Sequence, residues 1–407
     1  MNQTDLVIRG RRVVTENAIG PASAHISQGR IVGIAGFEEI PAGGAIVEAG
    51  EDSIVMPGLV DTHVHVNEPG RARWEGFETA TKAAAAGGIT TIVDMPLNSI
   101  PATTTLNALK SKLEATRGKL HVDVGFWGGV VPGNTNELAN LWNAGVVGFK
   151  CFLIHSGVDE FPNVTRSDLH EAMPKLARLG AKLIVHAELP GPIEASCGSF
   201  SADNEGSQSY KTFLRSRPRE AENEAVESMI RLSLETGCRV HIVHHSSADA
   251  LAILRQAKTS GARVTAETCP HYLHFAAEDI PNGATEFKCC PPIRERENRE
   301  QLWEALRDGT IDMIVSDHSP CPPEMKLPEQ GDFMKAWGGI SSLQLRLPVI
   351  WTEAIARGFT INQLAEWLCA APARLVGLQE RKGTISIGRD ADIVIWSPMR
   401  EFRVEPG

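Results

Sequence analysis

The sequence holds only two tyrosines, no Cys-x-x-Cys pair, no dense run of lysine and arginine, and nothing near about 18 consecutive apolar residues. The missing apolar run excludes a membrane-spanning helix. Eight scattered cysteines in 407 residues exclude a disulfide scaffold, so reduced thiols in a cytoplasmic protein are expected. Cys151, Cys269, Cys289 and Cys321 flank segments discussed below, and each reads first as a small apolar filler. With 40 basic against 50 acidic side chains, the net charge of −10 and the lack of basic clusters argue against nucleic acid and anionic membrane as partners. The start, Met1-Asn2-Gln3-Thr4-Asp5, has no basic segment leading into an apolar one, so no secretory signal is expected. What remains, 42% apolar and 22% charged residues, suits a globular protein with a large core.

Both ends of the chain read as short strands. Leu6–Gly10, Arg30–Ile34, Gly383–Gly388 and Ala391–Trp396 carry β-type runs bounded by turn residues, with no helical period. Residues 1–56 and 383–407 are therefore expected to pair into one small β-sandwich domain. The middle, residues 57–382, repeats a β-branched apolar run, a polar or Gly-rich loop and an amphipathic helix. The runs are Ile54–His65, Thr90–Met95, His121–Phe126, Val146–Leu153, Lys182–Glu188, Arg239–His245, Arg263–Thr268 and Ile311–Asp317. A helix over Glu220–Thr236, with Ala225, Met229 and Leu232 on one face and Gly237 as its cap, typifies the spacers. Eight such strands fit an α/β fold with a TIM-like (β/α)8 barrel, and no dinucleotide glycine pattern follows the first strand.

In such barrels chemistry sits at the C-terminal strand ends. The first run ends Asp61-Thr62-His63-Val64-His65, and alternation points His63 and His65 the same way. His186, His244 and Asp317 lie in the fifth, sixth and eighth runs. A lone histidine is usually a satisfied core residue. Four with an aspartate, all at strand ends, form a ligand set for zinc, cobalt, manganese or iron. Lys150 sits in Phe149-Lys150-Cys151-Phe152, where an unpaired ammonium is very costly. Alone it would read as a lysine paired with a carboxylate. Beside these ligands, a neutral amine that adds carbon dioxide and bridges two cations becomes the better reading. Six ligands are too many for one tetrahedral ion but suit two, a pair able to activate water. Asp317 can then carry a proton to a leaving nitrogen, as amide hydrolysis requires.

Pro57-Gly58-Leu59-Val60-Asp61-Thr62-His63-Val64-His65, Lys150, His186, His244 and Asp317 together resemble the metal-dependent amidohydrolase superfamily, in its cyclic amidohydrolase branch. That branch includes dihydroorotases, hydantoinases, dihydropyrimidinases and allantoinases. The resemblance covers nearly the whole chain. It implies two divalent ions, zinc first among the alternatives, bridged by N6-carboxylated Lys150. His63, His65, Lys150 and Asp317 would hold one ion, and Lys150, His186 and His244 the other. A homo-oligomer, dimer or tetramer, is also implied.

Continuing the alternation, Asn67 is expected to look into the same cavity, where dihydroorotases place an arginine for a substrate carboxylate; Arg71 and Arg73 lie nearby. A neutral amide suits a neutral ureide ring. Hydantoinases carry a tyrosine five residues after the lysine, whereas this sequence has His155 followed by Ser156. His65–Gly70, Trp74–Phe77, Asp94–Ser99, Phe149–Phe152, Ser316–Pro323 and Phe333–Ile340 are similar to the allantoinase group. That similarity implies ring opening of allantoin to allantoate, with Cys290, Trp337, Gly338 and Gly339 near the ring amides through backbone groups and Asn98 through its side chain. Other cyclic amidase activities, hydantoinase, dihydropyrimidinase or dihydroorotase, are the alternatives.

Overall fold

The computed structural model describes residues 4–16, 18–41, 43–197 and 206–404. Five strands open the chain: β1 (Leu6–Val14), β2 (Ile19–Ser27), β3 (Arg30–Ala35), β4 (Ala45–Glu48) and β5 (Ile54–Pro57). The barrel strands follow: β6 (Leu59–Val64), β7 (Ile89–Asp94), β8 (Asp123–Phe126), β9 (Gly128–Gly129), β10 (Phe149–Phe152), β11 (Lys182–His186), β12 (Arg239–Ile242), β13 (Val264–Thr268) and β14 (Met313–Ile314). A last strand, β15 (Ile393–Trp396), returns to the first group.

The two chain ends share one six-stranded sheet, in the order β15-β5-β1-β2-β3 with β4 also on β1. A bulge between Gly10 and Val13 divides β1, so that its first half pairs with β4 and Val13 with Val55 of β5. Ile8, Val13, Ala24, Ile26, Ile31, Val55 and Ile385 form a small core of their own here. The two chain ends thus build the expected small β domain on one hydrogen-bonded ladder.

The single run expected over Ile54–His65 splits at Gly58, half to each sheet. Gly58 donates its N–H to Asp392 O, and a Cβ on it would lie 2.3 Å from the Thr90 side chain. No residue with a side chain fits that crossing.

All pairs among β6 to β14 are parallel. Among the described residues the ladder is not one closed ring; it runs as β6-β7-β8 and as β14-β13-β12-β11-β10-β9. Two links join the arcs. Trp127, between β8 and β9, donates to Asp94 O, while Gly128 donates to Gly148 O, so one extended stretch changes partner midway. On the other side Val64 bridges His318 in parallel.

A buried ion pair braces that second link. Asp61 accepts from the backbone N–H groups of His63 and Ser316 and meets the Arg346 guanidinium at 3.0 Å, both side chains being fully buried. Arg346 also donates to Val60 O, Ile314 O and Leu368 O, so every strong donor on its two terminal nitrogens is used. Removing one member of such a pair strands the other charge, at a cost of about 3–5 kcal/mol. The helix Arg219–Thr236 forms as its pattern requires, with Ala225, Met229 and Leu232 buried and Gly237 at φ 71°.

Candidate metal centre

The parallel strands aim their C-terminal ends at one cavity of ≈ 430 Å³, and His63, His65, Lys150, His186, His244 and Asp317 all line it. His63 lies on β6 and His65 just beyond it. Lys150 is the second residue of β10, His186 ends β11, and His244 and Asp317 follow β12 and β14. His244 and Asp317 adopt φ values of 38° and 45°, the sparsely populated left-handed region. Strain of this kind persists where surrounding contacts over-determine a residue, and it clusters at functional sites.

The six side chains form a connected group. Asp317 Oδ1 lies 3.0 Å from His63 Nε2 and 3.6 Å from His65 Nε2. His186 Nδ1 and His244 Nε2 are 2.9 Å apart, and the His63 and His244 ring centres are 5.4 Å apart. Lys150 is wholly buried; its Nζ has no hydrogen-bond partner among the described residues and lies 4.9 Å from the Phe152 ring centre. An unpaired buried ammonium is very unfavourable. Burial accordingly brings the Lys150 pKa down to about 8. Burial likewise lowers His65 to about 4 and His244 well below its ordinary value. For Asp317, burial opposes ionisation, but His63 and His65 outweigh it and hold the carboxyl far below its usual range. At His63 burial again opposes the charged form, but Asp317 and Glu267 outweigh it and raise the pKa. Deprotonated imidazoles, a carboxylate and an uncharged amine are the forms in which these groups bind cations. The donor set therefore fits divalent metal.

Hydrogen bonds behind the cavity fix which ring nitrogens face it. Glu267, on β13, accepts from His63 Nδ1 and from His241 Nε2, leaving His63 Nε2 for the cavity. Glu188 Oε2 accepts from His186 Nε2 at 2.7 Å and from Arg217 at 2.7 Å, which leaves His186 Nδ1 on the cavity side, facing His244 Nε2. Carboxylates behind ligating histidines set tautomer and orientation. Sequence reasoning passed over Glu188, Glu267 and Arg217. Glu188 stands two residues after His186, so the alternation that paired His63 with His65 was the available signal. Cys269 and His271 also come close to Asp317, and both His271 nitrogens are buried without a partner.

Glu188 yields a testable pH dependence. Burial opposes its ionisation, yet Arg217 and His186 prevail and bring its pKa from the ordinary 4.5 to about 2. A folded-state pKa below the unfolded one contributes stability above the unfolded value, lost as pH falls through the folded value. Unfolding by urea of metal-free wild type and Glu188→Gln is expected to differ fully at pH 7. The gap should narrow between pH 4.5 and about 2. A gap independent of pH would contradict the charge pairing. At neutral pH the variant should also bind metal about 10–100-fold more weakly.

The expected substrate-contacting residues separate into three groups. Asn98, Cys290, Trp337 and Gly338 line the cavity. Asn98 is buried at φ 70°, and its own carbonyl accepts from Arg71. Trp337 spends its backbone N–H on Met325 O, while its buried indole N–H has no acceptor among the described residues. Trp337 can thus offer a side-chain donor to the cavity.

His155, Ser156 and Gly339 line the cavity too, but their polar groups are engaged in the wall itself. His155 Nδ1 accepts from Gly157, Ser156 Oγ donates to Val158 O and Phe161 O, and Gly339 donates to Lys288 O. Asn67 is a correction. It is fully buried and off the cavity wall, because β6 ends at Val64 and the alternation stops there; its N–H goes to Glu75 O and its carboxamide is unpartnered. Arg71 and Arg73 pair with Glu160 and Glu324, away from the cavity. Both tyrosines donate their hydroxyls to backbone carbonyls, Tyr210 to Ile293 O and Tyr272 to Pro291 O, and neither lines the cavity.

A parallel α/β barrel with imidazoles and a carboxylate gathered at its strand ends defines the class of metal-dependent hydrolases. The chain belongs to the amidohydrolase family, whose pattern matches residues 54–405. It is 50% identical over 407 residues to an allantoinase of Streptomyces avermitilis, spanning 100% of this chain and 89% of that protein. It is 45% identical to an allantoinase of Arabidopsis thaliana over 415 aligned residues, 98% of this chain and 80% of that one. Among solved structures, an L-hydantoinase (dihydropyrimidinase) from Arthrobacter aurescens matches with a TM-score of 0.90 and 34% identity, covering 96% of this chain and 86% of that one. The enzyme is a hydrolase acting on cyclic amides, and no helix among the described residues is long and apolar enough to cross a membrane.

Proposed function

We propose that this enzyme opens the ring of allantoin to give allantoate, with residues 57–382 as its hydrolytic unit and residues 1–56 plus 383–407 as the accessory β unit. The observation that carries the reading is the fully buried, unpartnered Lys150 Nζ in one cavity with four histidines and Asp317, in a chain about half identical to proteins named as allantoinases. His63, His65, Lys150 and Asp317 would hold one divalent ion, and Lys150, His186 and His244 a second, with Lys150 carboxylated at Nζ. Zinc is the first choice, before cobalt, manganese or iron. Such ions supply Lewis acidity and make water acidic enough to attack at neutral pH.

The chain's own groups do the rest. Glu188 and Glu267 hold His186 and His63 in the tautomers that face the cavity. Asp317 takes the proton of the attacking water on a carboxylate oxygen and returns it to the departing ring nitrogen. The floor of buried apolar residues around Phe152 and Leu97 limits water near the reacting carbonyl. The seven described cysteines are unpaired, which suits a reducing cytoplasm, and assembly as a homo-oligomer belongs to the same proposal.

Hydantoin and dihydropyrimidine rings are the competing substrates, given the likeness to hydantoinase structures. Neither tyrosine reaches the cavity, which favours the ureide over those rings. Protein reconstituted with metal in the presence of bicarbonate is to be assayed on allantoin, hydantoin, dihydrouracil and dihydroorotate. The expected result is a kcat/KM for allantoin at least about tenfold above the others, the scale one added set of contacts provides. Preference for any of the other three would overturn the assignment.

A further inference from the structure

Helix Tyr210–Ser216 ends at Arg217, which leaves helical geometry at φ −126° and ψ 73°, and Pro218 then starts the helix Arg219–Thr236. Proline fixes its own φ and keeps the preceding residue extended, so this junction has little freedom. Arg217 N–H donates to Leu214 O, and Arg217 O accepts from the Arg294 side chain. A held backbone thereby delivers one guanidinium into the cavity wall.

There the guanidinium uses one nitrogen on Glu188 Oε2, at 2.7 Å. Its remaining N–H donors have no acceptor among the described residues, and the side chain, 22% exposed, lines the cavity with them. Glu188 also cancels its charge, so the pair attracts a neutral carbonyl better than it attracts a free carboxylate. Arg217 and the four histidines line the same cavity, so a ring whose scissile carbonyl lies beside the histidines can carry its substituent towards Arg217.

We propose that Arg217 is the specificity-determining residue for that substituent, its free N–H groups donating to the exocyclic ureido carbonyl. The inference rests on the allantoin reading and deepens it. Hydantoin, which has the ring without the ureido group, would gain nothing from the contact.

The test compares holoenzyme with Arg217→Lys, which keeps a cation for Glu188 but loses the fork, and with Arg217→Gln. For each protein, kcat/KM for allantoin, the inhibition constant of hydantoin against that reaction, and metal content are measured. Arg217→Lys is expected to lower kcat/KM for allantoin about 100-fold, the scale of a lost hydrogen bond to a charged group, and to shift the hydantoin constant about threefold. Arg217→Gln should show the same inequality. Equal shifts for both compounds, or an allantoin loss matched by lost metal, would make Arg217 only a support for Glu188 and overturn the proposal. Wild-type protein that opens hydantoin but not allantoin would instead remove the reading on which it rests.

Discussion

Asp317→Asn is expected to keep its metal and lose turnover, kcat falling on the order of 10³-fold, within the range for a positioned acid–base group. The substitution preserves size and one oxygen donor. It removes the capacity to accept and return a proton, together with the carboxylate's charge. The structure gives reasons to expect a clean result. Asp317 is held at φ 45° by its neighbours, since Val64 bridges the following His318, and Ser342 and Leu343 N–H groups donate to the His318 ring. Its carboxylate faces His63 Nε2 at 3.0 Å and is fully ionised at neutral pH. The asparagine should therefore sit in the same place. Activity within threefold of wild type would deny Asp317 the proton-transfer role. Lost metal together with lost activity would restrict it to ligation.

Lys150→Ala should be as damaging for a different reason. Lys150 stands beside the strand that carries His186, for Lys150 pairs in register with Ile184 of β11 and Phe152 with His186. Its amine is the only group of the six that is not itself a ready anionic or imidazole ligand. Truncation would leave the two histidine groups without a shared bridge. Activity is expected to fall on the order of 10³-fold, with metal content reduced, because the proposed two-ion arrangement would depend on that bridge. Acetate or propionate should restore a measurable part, since a free carboxylate can enter the vacated volume. Full activity in Lys150→Ala, with or without added acid, would contradict the bridging role.

Much of this centre was legible in the sequence, because strand periodicity translates directly into shared direction. His63 and His65 are two apart at the end of an apolar run, and the structure places both at the cavity. Lys150 stood out because a charge within an apolar strand needs a chemical explanation. The same rule failed at Asn67, where the strand had already ended and a loop bond to Glu75 turned the residue away. It failed also over Ile54–His65, where packing against Thr90 at Gly58 divided one run between two sheets. Partners distant in sequence carry no local signal. Arg346 and Asp61 meet although they stand 285 positions apart, and Arg217 meets Glu188 from the junction before Pro218. Glu188 and Glu267 were readable in type but not in role, since which ring nitrogen a carboxylate engages depends on three-dimensional approach.

The central claim is that a carboxylated Lys150 joins two cations at the barrel mouth. Metal analysis of fully active protein, combined with a crystal structure at the resolution needed to see the Lys150 side chain, tests it most directly. The account predicts two divalent ions per chain and a carboxylate on Nζ between them. A bare Lys150 ammonium with no ion beside His63, His65, His186 or His244, in protein of full activity, would contradict it.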